Sequence, residues 1–470
     1  MIPVILLSIV LGVFTEASAA PQQEETILMQ NDSRIQPYEA DPRYWQYKGK
    51  PVLLLGGSET DHIFLFEGLK EHLDEMASVG ANYVRNTMSQ REQIELKAHK
   101  LLPDGKFDLN QWNEEYWNRF QNMLRWTQER EIIVQIEVWD RFDYSMHWWP
   151  HSPWNPANNI NYTSEESGLA LEYPKHPGQN LQPFFYSIPS MKDNPLILGY
   201  QKAFVDKMLS YSLSYDNVLY CMDNETGASP EWGAYWATYL RTKAAETGRE
   251  IETTEMWDSH SLSNPVYDNT VEPSETYSFI EISQNNHNSE RLHWDNLRMM
   301  CERVQKTGKL RPINTVKIYG ANGATYGRNR DAQERFWRNI FGGLAATRFH
   351  RPHWGLGLNE KAKTHIKSMR MFTGAMDIFQ CEPHMELLGW YWRERNEVYC
   401  VANPGREYGL FFTDGGVATV DVSAAGGREM TVRWLDIMAS KWLEPVTMKP
   451  ENRQLRLLTP EDGYWAVLVQ

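Results

Sequence analysis

The chain has 470 residues, 47 Lys plus Arg against 61 Asp plus Glu, and a formal charge of −14. That acidic excess excludes a nucleic-acid partner held through its phosphates, which needs clustered Lys and Arg to displace counterions, and 13% aromatic content with 19 Trp excludes an acidic disordered chain. At roughly 100–200 residues per domain, and about 250 or more for a barrel, the length leads to one large domain and a small one.

Residues 1–20 join an apolar run, Ile2 to Phe14, to a small-residue end at Ala20. They read as a secretory signal peptide, because the run falls short of the ~20 apolar residues of a spanning helix. No later stretch is long and apolar enough to cross a bilayer, so the mature chain is expected to be secreted or periplasmic, with no membrane partner once the signal is cleaved. A polar leader follows over residues 21–42.

Short β-branched or apolar runs then alternate with longer amphipathic ones. Strands are expected at Pro51–Leu55, Asn82–Met88, Ile132–Trp139, Asn217–Asn224, Ile251–Trp257, Ser278–Gln284, Pro312–Tyr319 and Ala346–His350. Helices are expected at Phe66–Val79, Leu109–Arg130, Asn194–Tyr215, Pro230–Thr247, Ser289–Thr307, Asp331–Ala345 and Lys361–Phe379, with the crossover after the fifth strand poorly marked. Repeated strand–helix units read as an α/β fold, a (β/α)8 TIM barrel over 43–382. An open doubly wound sheet would prefer a Gly-rich phosphate turn after its first strand, and Gly56-Gly57-Ser58 is not one. Beyond Cys381 the pattern becomes short alternating strands with Gly-rich turns, which reads as a small C-terminal β-sandwich over 383–470. Cys381 and Cys400 flank this junction and leave a disulfide open; Cys221 and Cys301 read as buried thiols.

In such a barrel, chemistry sits at the C-terminal strand ends. Period-2 alternation turns Gln135, Glu137 and Trp139 inward, with Asp223 and Glu225, Glu255 and Trp257, Glu281, and Lys317 with Tyr319; Arg85 joins them on the second strand. So many ionisable groups in one ring cost several kcal/mol unless paired or used. After the third strand come Trp139-Asp140-Arg141 and His147-Trp148-Trp149, and after the eighth His350-Arg351-Pro352-His353-Trp354. Flat aromatic faces beside carboxylates and Arg suit the apolar faces and hydroxyls of a sugar, so the expected partner is a poly- or oligosaccharide; a small core beneath a long loop is the alternative. Arg85 and Lys317 hint at an anionic sugar. No HExxH or related spacing points to a metal and no motif to a cofactor, and no GxSxG elbow to an esterase.

The run Leu219-Tyr-Cys-Met-Asp-Asn224-Glu225, with Arg85 closing the second strand, resembles the large clan of retaining (β/α)8 glycoside hydrolases. The opening Lys48-Gly-Lys-Pro51-Val-Leu-Leu-Leu-Gly-Gly57 and the C-terminal sandwich resemble the apiosidase-like branch of cellulase-related barrels. The resemblance implies that Glu225 is the acid/base, next to a substrate-binding Asn224. It also implies a nucleophilic Glu on strand seven, which here reads Asn314-Thr-Val-Lys317-Ile-Tyr319-Gly320 without a carboxylate. The second carboxyl is therefore expected from Glu281 or Glu255, then Glu137 or Asp140. Neighbouring carboxylates and partial burial are expected to raise the pKa of Glu225 and make it the general acid, with Arg85 and Lys317 positioning substrate and Trp139, Trp148 and Trp257 as platforms. A non-catalytic sugar-binding barrel and a polysaccharide lyase using Lys317 or Tyr319 as base stay open.

Overall fold

The eight β-rich runs form eight parallel strands in the computed structural model, which describes Met1 and residues 33–88, 96–177, 182–227, 229–323, 325–389 and 394–470. They are β1 (Leu54–Gly57), β2 (Tyr83–Thr87), β3 (Ile133–Asp140), β4 (Val218–Asn224), β5 (Glu252–Thr254), β6 (Ile280–Glu281), β7 (Ile313–Ile318) and β8 (Ala346–Phe349). Ladders join them in the order β5-β4-β3-β2-β1-β8-β7-β6. Individual bonds close the seam between β5 and β6: Ser278 N–H donates to Thr253 O at 2.9 Å, and the Thr253 and Thr254 hydroxyls donate to Thr276 O at 2.6 Å and Phe279 O at 2.8 Å. The result is a (β/α)8 barrel.

Each strand is followed by a helix: α1 (Leu69–Ser78), α2 (Glu114–Glu129), α3 (Pro195–Ser212), α4 (Pro230–Glu246), α5 (Asp268–Val271), α6 (Glu290–Lys306), α7 (Asn329–Phe341) and α8 (Glu360–Ala375). The poorly marked fifth crossover is a single turn, α5. Helix starts follow capping chemistry: Asn194 accepts from Ile197 N–H ahead of Pro195, and Ser229 precedes Pro230. The helix expected from Leu109 begins only at Glu114, because Asn113 caps it by accepting from Glu115 N–H at 3.1 Å. Phe107–Trp112 instead pairs as a strand with His99–Leu101.

The expected signal peptide and residues 21–32 of the polar leader lie outside the described residues, while residues 33–42 of that leader are built into the fold. Ile35 N–H donates to Asp216 O at 2.8 Å, and Gln36–Pro37, Trp45–Tyr47 and Lys50–Val52 form a small antiparallel sheet. This sheet drives Trp45 into the N-terminal end of the barrel, where its indole N–H donates to Asn314 Oδ1 at 2.8 Å and its ring meets Phe279 edge-on at 5.2 Å.

The C-terminal segment forms two antiparallel sheets packed face to face. One contains Glu382–Pro383, Val398–Asn403, Glu407–Phe412, Trp465–Val469, Met430–Asp436 and Lys441–Trp442, with Val446–Met448 on its flank; the other contains Leu388–Gly389, Val417–Asp421 and Gln454–Leu458. Leu410, Phe412, Val420, Leu457 and Val467 fill the space between them. The opposite face of the larger sheet continues the barrel's core: Trp337 of α7 stacks on Phe411 at 5.0 Å, and the Ser368 hydroxyl of α8 donates to Ile437 O at 2.6 Å. All four cysteines are free, and the Cys381 thiol donates to Asp377 O at 3.2 Å. Among the described residues, no helix is long and apolar enough to cross a membrane. Trp337→Ala should cost about 3–5 kcal/mol through the cavity it leaves, which calorimetric or circular-dichroism melting will register as a lowered Tm.

Candidate functional site

The C-terminal strand ends and the segments after them enclose a cavity of about 310 Å³. Its wall runs full circle: Asp61 after β1, Arg85 in β2, Phe142 and His176 after β3, Asn224 and Glu225 at β4, and Asp258 and His260 after β5. Gln284 and His287 follow β6, Lys317, Tyr319 and Tyr326 come from β7 and beyond, and His350, Arg351 and Trp354 follow β8.

At the centre, Lys317 Nζ donates to Glu225 Oε1 and to Asn224 Oδ1, each at 2.6 Å, and the Tyr319 hydroxyl donates to Glu225 Oε1 at 3.2 Å. Glu225 has φ 57°, the left-handed region that a non-glycine residue occupies only when its surroundings enforce it. The enforcement comes through Thr226. Its N–H donates to Met256 O at 2.7 Å, its O accepts from Asp258 N–H at 3.0 Å, and its hydroxyl donates to Glu255 Oε1 at 2.5 Å. One residue thereby ties the backbone of Glu225 to that of Asp258.

Lys317 is aimed by an irregularity in its strand. The register of β7 against β8 shifts between Thr315 and Ile318, and the Ser283 hydroxyl oxygen accepts from the N–H groups of Val316 at 2.7 Å and Lys317 at 3.1 Å. Glu281 holds that hydroxyl in turn, and also accepts from Ser283 N–H at 2.8 Å and from Gln135 Nε2 at 3.3 Å. From the cavity wall, Arg85 makes a bidentate pair with Glu137 beneath it, through Nε at 2.6 Å and Nη2 at 2.5 Å, and reaches Asp61 at 2.9 Å.

These contacts separate the two acids that follow β4 and β5. Burial works against the charged form of Glu225, but the Lys317 ammonium and its hydrogen bond, aided by Arg85, hold the carboxyl well below the usual carboxylate range. Asp258 keeps solvent access, yet the protein surrounding the cavity mouth and the Glu225 charge push its pKa up to about 7, with Lys317 only partly opposing them. Burial likewise pushes His287 and His350 down to about 3, so both imidazoles are neutral donors and acceptors. The raised pKa expected for Glu225 is therefore reversed, and the raised acid at the cavity is Asp258.

Of the residues singled out in the sequence, Arg85, Asn224, Glu225, Lys317 and Tyr319 line the cavity, and Glu137 lies under it. Glu281 is fully buried and absent from the wall, with its pKa pushed up to about 7 by burial; it supports Lys317 instead of facing substrate. Glu255 points away, toward α4, where a Cβ on Gly233 would lie 1.8 Å from its Oε2; burial and the nearby Asp223 push its pKa up. Asp223 also faces that side and pairs with Arg141 Nε at 2.5 Å. Asp140 is buried and caps the next turn, accepting from Phe142 N–H at 3.1 Å.

Two of the three expected tryptophan platforms, Trp139 and Trp257, are core instead, and the third, Trp148, is half-buried and off the cavity wall. Trp139 packs against Phe184, Phe204, Trp232 and Trp236 at 5.2–6.1 Å. The Trp257 indole N–H donates to Thr270 Oγ1 at 3.2 Å in the interior, and Trp148 packs on His147 at 4.2 Å, off the cavity wall. The aromatic loop after β3 is thus largely a small core beneath a long segment, and Trp354 is the tryptophan of the described wall. Asp61, Asp258, His260 and His287 were not found from sequence; their available signal was a place four to six residues past a strand end, in the segments that follow β1, β5 and β6. Among the described residues, no group of three or more His, Cys, Asp or Glu is arranged to hold a metal ion.

No family model matches the chain, and no curated protein matches its sequence. Solved structures do share its architecture. One described as "Glycoside hydrolase" superposes with a TM-score of 0.63 at 12% identity, covering 94% of this chain and 97% of that one. A glycoside hydrolase family 5 protein from Bacteroides vulgatus ATCC 8482 gives 0.62 at 12% identity over 94% of each chain. A family 5 mannosidase from Rhizomucor miehei gives 0.50 at 11% identity over 74% of this chain and 99% of that one. At these identities the likeness is one of fold, and it extends over both the barrel and the C-terminal sheets for the first two.

Replacing Lys317 with Met should raise the pKa of Glu225, since the folded protein then loses the cation that favours its charged form. Carboxyl-carbon NMR titration of labelled glutamate reads this as a resonance that moves from titrating below the usual range to within or above it.

Proposed function

We propose that the protein is a glycoside hydrolase acting on a poly- or oligosaccharide. The observation that carries this reading is the pair of acids on one cavity wall, Glu225 bound by Lys317 Nζ at 2.6 Å and Asp258 at the rim, joined through Thr226; the cation favours the charged form of Glu225, while its surroundings and the Glu225 charge push the pKa of Asp258 up. Two carboxyl groups with pKa values driven apart are what acid-assisted glycosidic cleavage needs. Asp258 delivers its proton to the departing oxygen as the C–O bond breaks. Glu225 faces the positive charge that develops at the anomeric carbon, as nucleophile or as base for water. Tyr319 orients Glu225 and Asn224 holds the Lys317 ammonium, and the neutral imidazoles of His287 and His350 offer hydrogen bonds to hydroxyls. The roles differ from those implied by the family resemblance, in which Glu225 is the acid. The shared fold with glycoside hydrolases supports the reaction class, and the resemblance of residues 48–57 supports an apiosidase-like affinity. We further take residues 1–20 as an export signal and the protein as secreted or periplasmic.

One observation favours a second reading. Lys317 stands on the strand where the resembled clan keeps its nucleophile and already occupies Oε1 of Glu225, an arrangement that also suits a barrel binding glycan without cleaving it. Product analysis by NMR across a glycan panel separates the two, since binding without new reducing ends selects the second.

Glu225→Gln should lower kcat by about 10² or more with the fold intact, and near wild-type turnover would remove the assignment. The pH profile has a defined sign. Asp258 must be protonated, so kcat should fall as pH rises through about 7, while Glu225 stays ionised and sets no limb near neutrality. Asp258→Asn should lower kcat by roughly 10²–10⁴ and remove that alkaline limb.

A further inference from the structure

Three features of the cavity bear on which part of a glycan it can take. The first is its outline. Among the described residues, each of the eight strands or the segment after it contributes to the lining, so strands on opposite sides of the barrel both face the cavity, whereas a polymer bound along its length needs a cleft open at two opposite ends. The second is its size, about 310 Å³, at the lower end of the ~300–1,000 Å³ spanned by ligand sites; that is room for about one or two sugar rings.

The third is depth. Lys317 is 1% exposed and the Glu225 side chain 16%, while Asp258 stands at the open rim. In acid-assisted cleavage the charge-stabilising carboxylate faces the anomeric carbon of the sugar that keeps it, and the acid faces the oxygen that leaves. With Glu225 deep and Asp258 outward, the sugar on the non-reducing side lies inside and the rest of the chain leads out. Overall, the C–O bond breaks, the proton of Asp258 goes to the leaving oxygen, a water oxygen ends on the anomeric carbon, and that water's proton restores the acid.

The charge of the wall bears on the sugar. Arg85 is paired with Asp61 and Glu137, Lys317 with Glu225, and Arg351 with Asp61 at 3.4 Å. Each cation of the described wall already has its carboxylate, so the hint of an anionic sugar gives way to an uncharged one recognised through hydroxyls.

We infer that the cavity receives the non-reducing terminal sugar of a neutral glycan, with the remaining chain passing out over Asp258, so that the protein acts at chain ends. This rests on the assignment of Glu225 and Asp258 made above. The test has two arms. In the first, wild-type protein digests neutral oligosaccharides labelled at the reducing end and the matching polymers. The expected result is a labelled series shortening in constant steps, with polymer viscosity nearly unchanged while reducing ends accumulate; an early fall in viscosity with mixed product lengths overturns the inference. In the second, the Asp258→Asn variant is titrated calorimetrically with the same oligosaccharides, with and without a bulky acetal on the terminal non-reducing sugar.

Capping should weaken binding by about tenfold or more. Equal binding of capped and free chains overturns the inference even if hydrolysis occurs. Selective binding of free ends with no wild-type product removes the hydrolase reading and leaves the end-binding cavity standing. Failure of every oligosaccharide to bind overturns both.

Discussion

A carboxylate in a nearly dehydrated barrel mouth stays charged only if a cation lies within hydrogen-bond reach, and the arrangement of this molecule follows from meeting that requirement with Lys317. The ammonium offsets the loss of hydration around Glu225 and spends a second donor on Asn224. Its direction depends on the register shift in β7, which depends on the Ser283 hydroxyl, which Glu281 holds. Once Glu225 is fixed as an anion, its field helps keep a proton on Asp258. Charge separation between the two acids is thus a consequence of one ion pair and of a strand irregularity that aims it.

The same logic runs down the barrel axis. Barrel interiors are commonly filled by layers of branched apolar side chains, but here polar partners are stacked. Arg85 lines the cavity and pairs with Glu137 beneath it; below them the Tyr83 hydroxyl donates to Gln135 Oε1 at 2.6 Å and accepts from Asn314 Nδ2 at 3.2 Å, and Trp45 meets Asn314 at the base. Buried polar groups left unmatched cost about 1–3 kcal/mol each, so such a stack tolerates few arrangements. That intolerance is useful at a site whose groups must be held in fixed relation. On the outer side of the sheet, Gly233 inside α4 leaves space for the Glu255 carboxyl, at about 1 kcal/mol of helix propensity relative to Ala.

The fold was readable because strand and helix periods alternate so regularly, and because caps such as Asn194-Pro195 and Ser229-Pro230 mark where helices begin. Inward and outward facing was readable only in the body of the strands. Gln135 and Glu137 follow period-2 alternation, and so does Lys317. Past Glu137 and Cys221 the neighbouring Trp139 and Asp223 face the helices, and β5 ends at Thr254, before the rule could be applied to Glu255 or Trp257. Site residues live where regular strand geometry stops, so alternation misplaces them there. Asp258 escaped notice for that reason. Tryptophan abundance was legible as a fact but not as a location, since indoles suit both sugar faces and cores; the long segment after β3 needed its own core, and most of its rings went into it.

The Trp45 plug joins positions 269 residues apart. During synthesis the hairpin that bears it emerges early, while the ring of strands that receives it is incomplete until β7 and β8 have been made. Loop-closure entropy has to be met before so distant a contact is rewarded, so the indole spends most of translation without its binding partner, its apolar surface open to solvent or to chaperones. Setting the plug is then a late step of maturation, and the bottom of the barrel becomes watertight only when nearly the whole barrel exists to hold it.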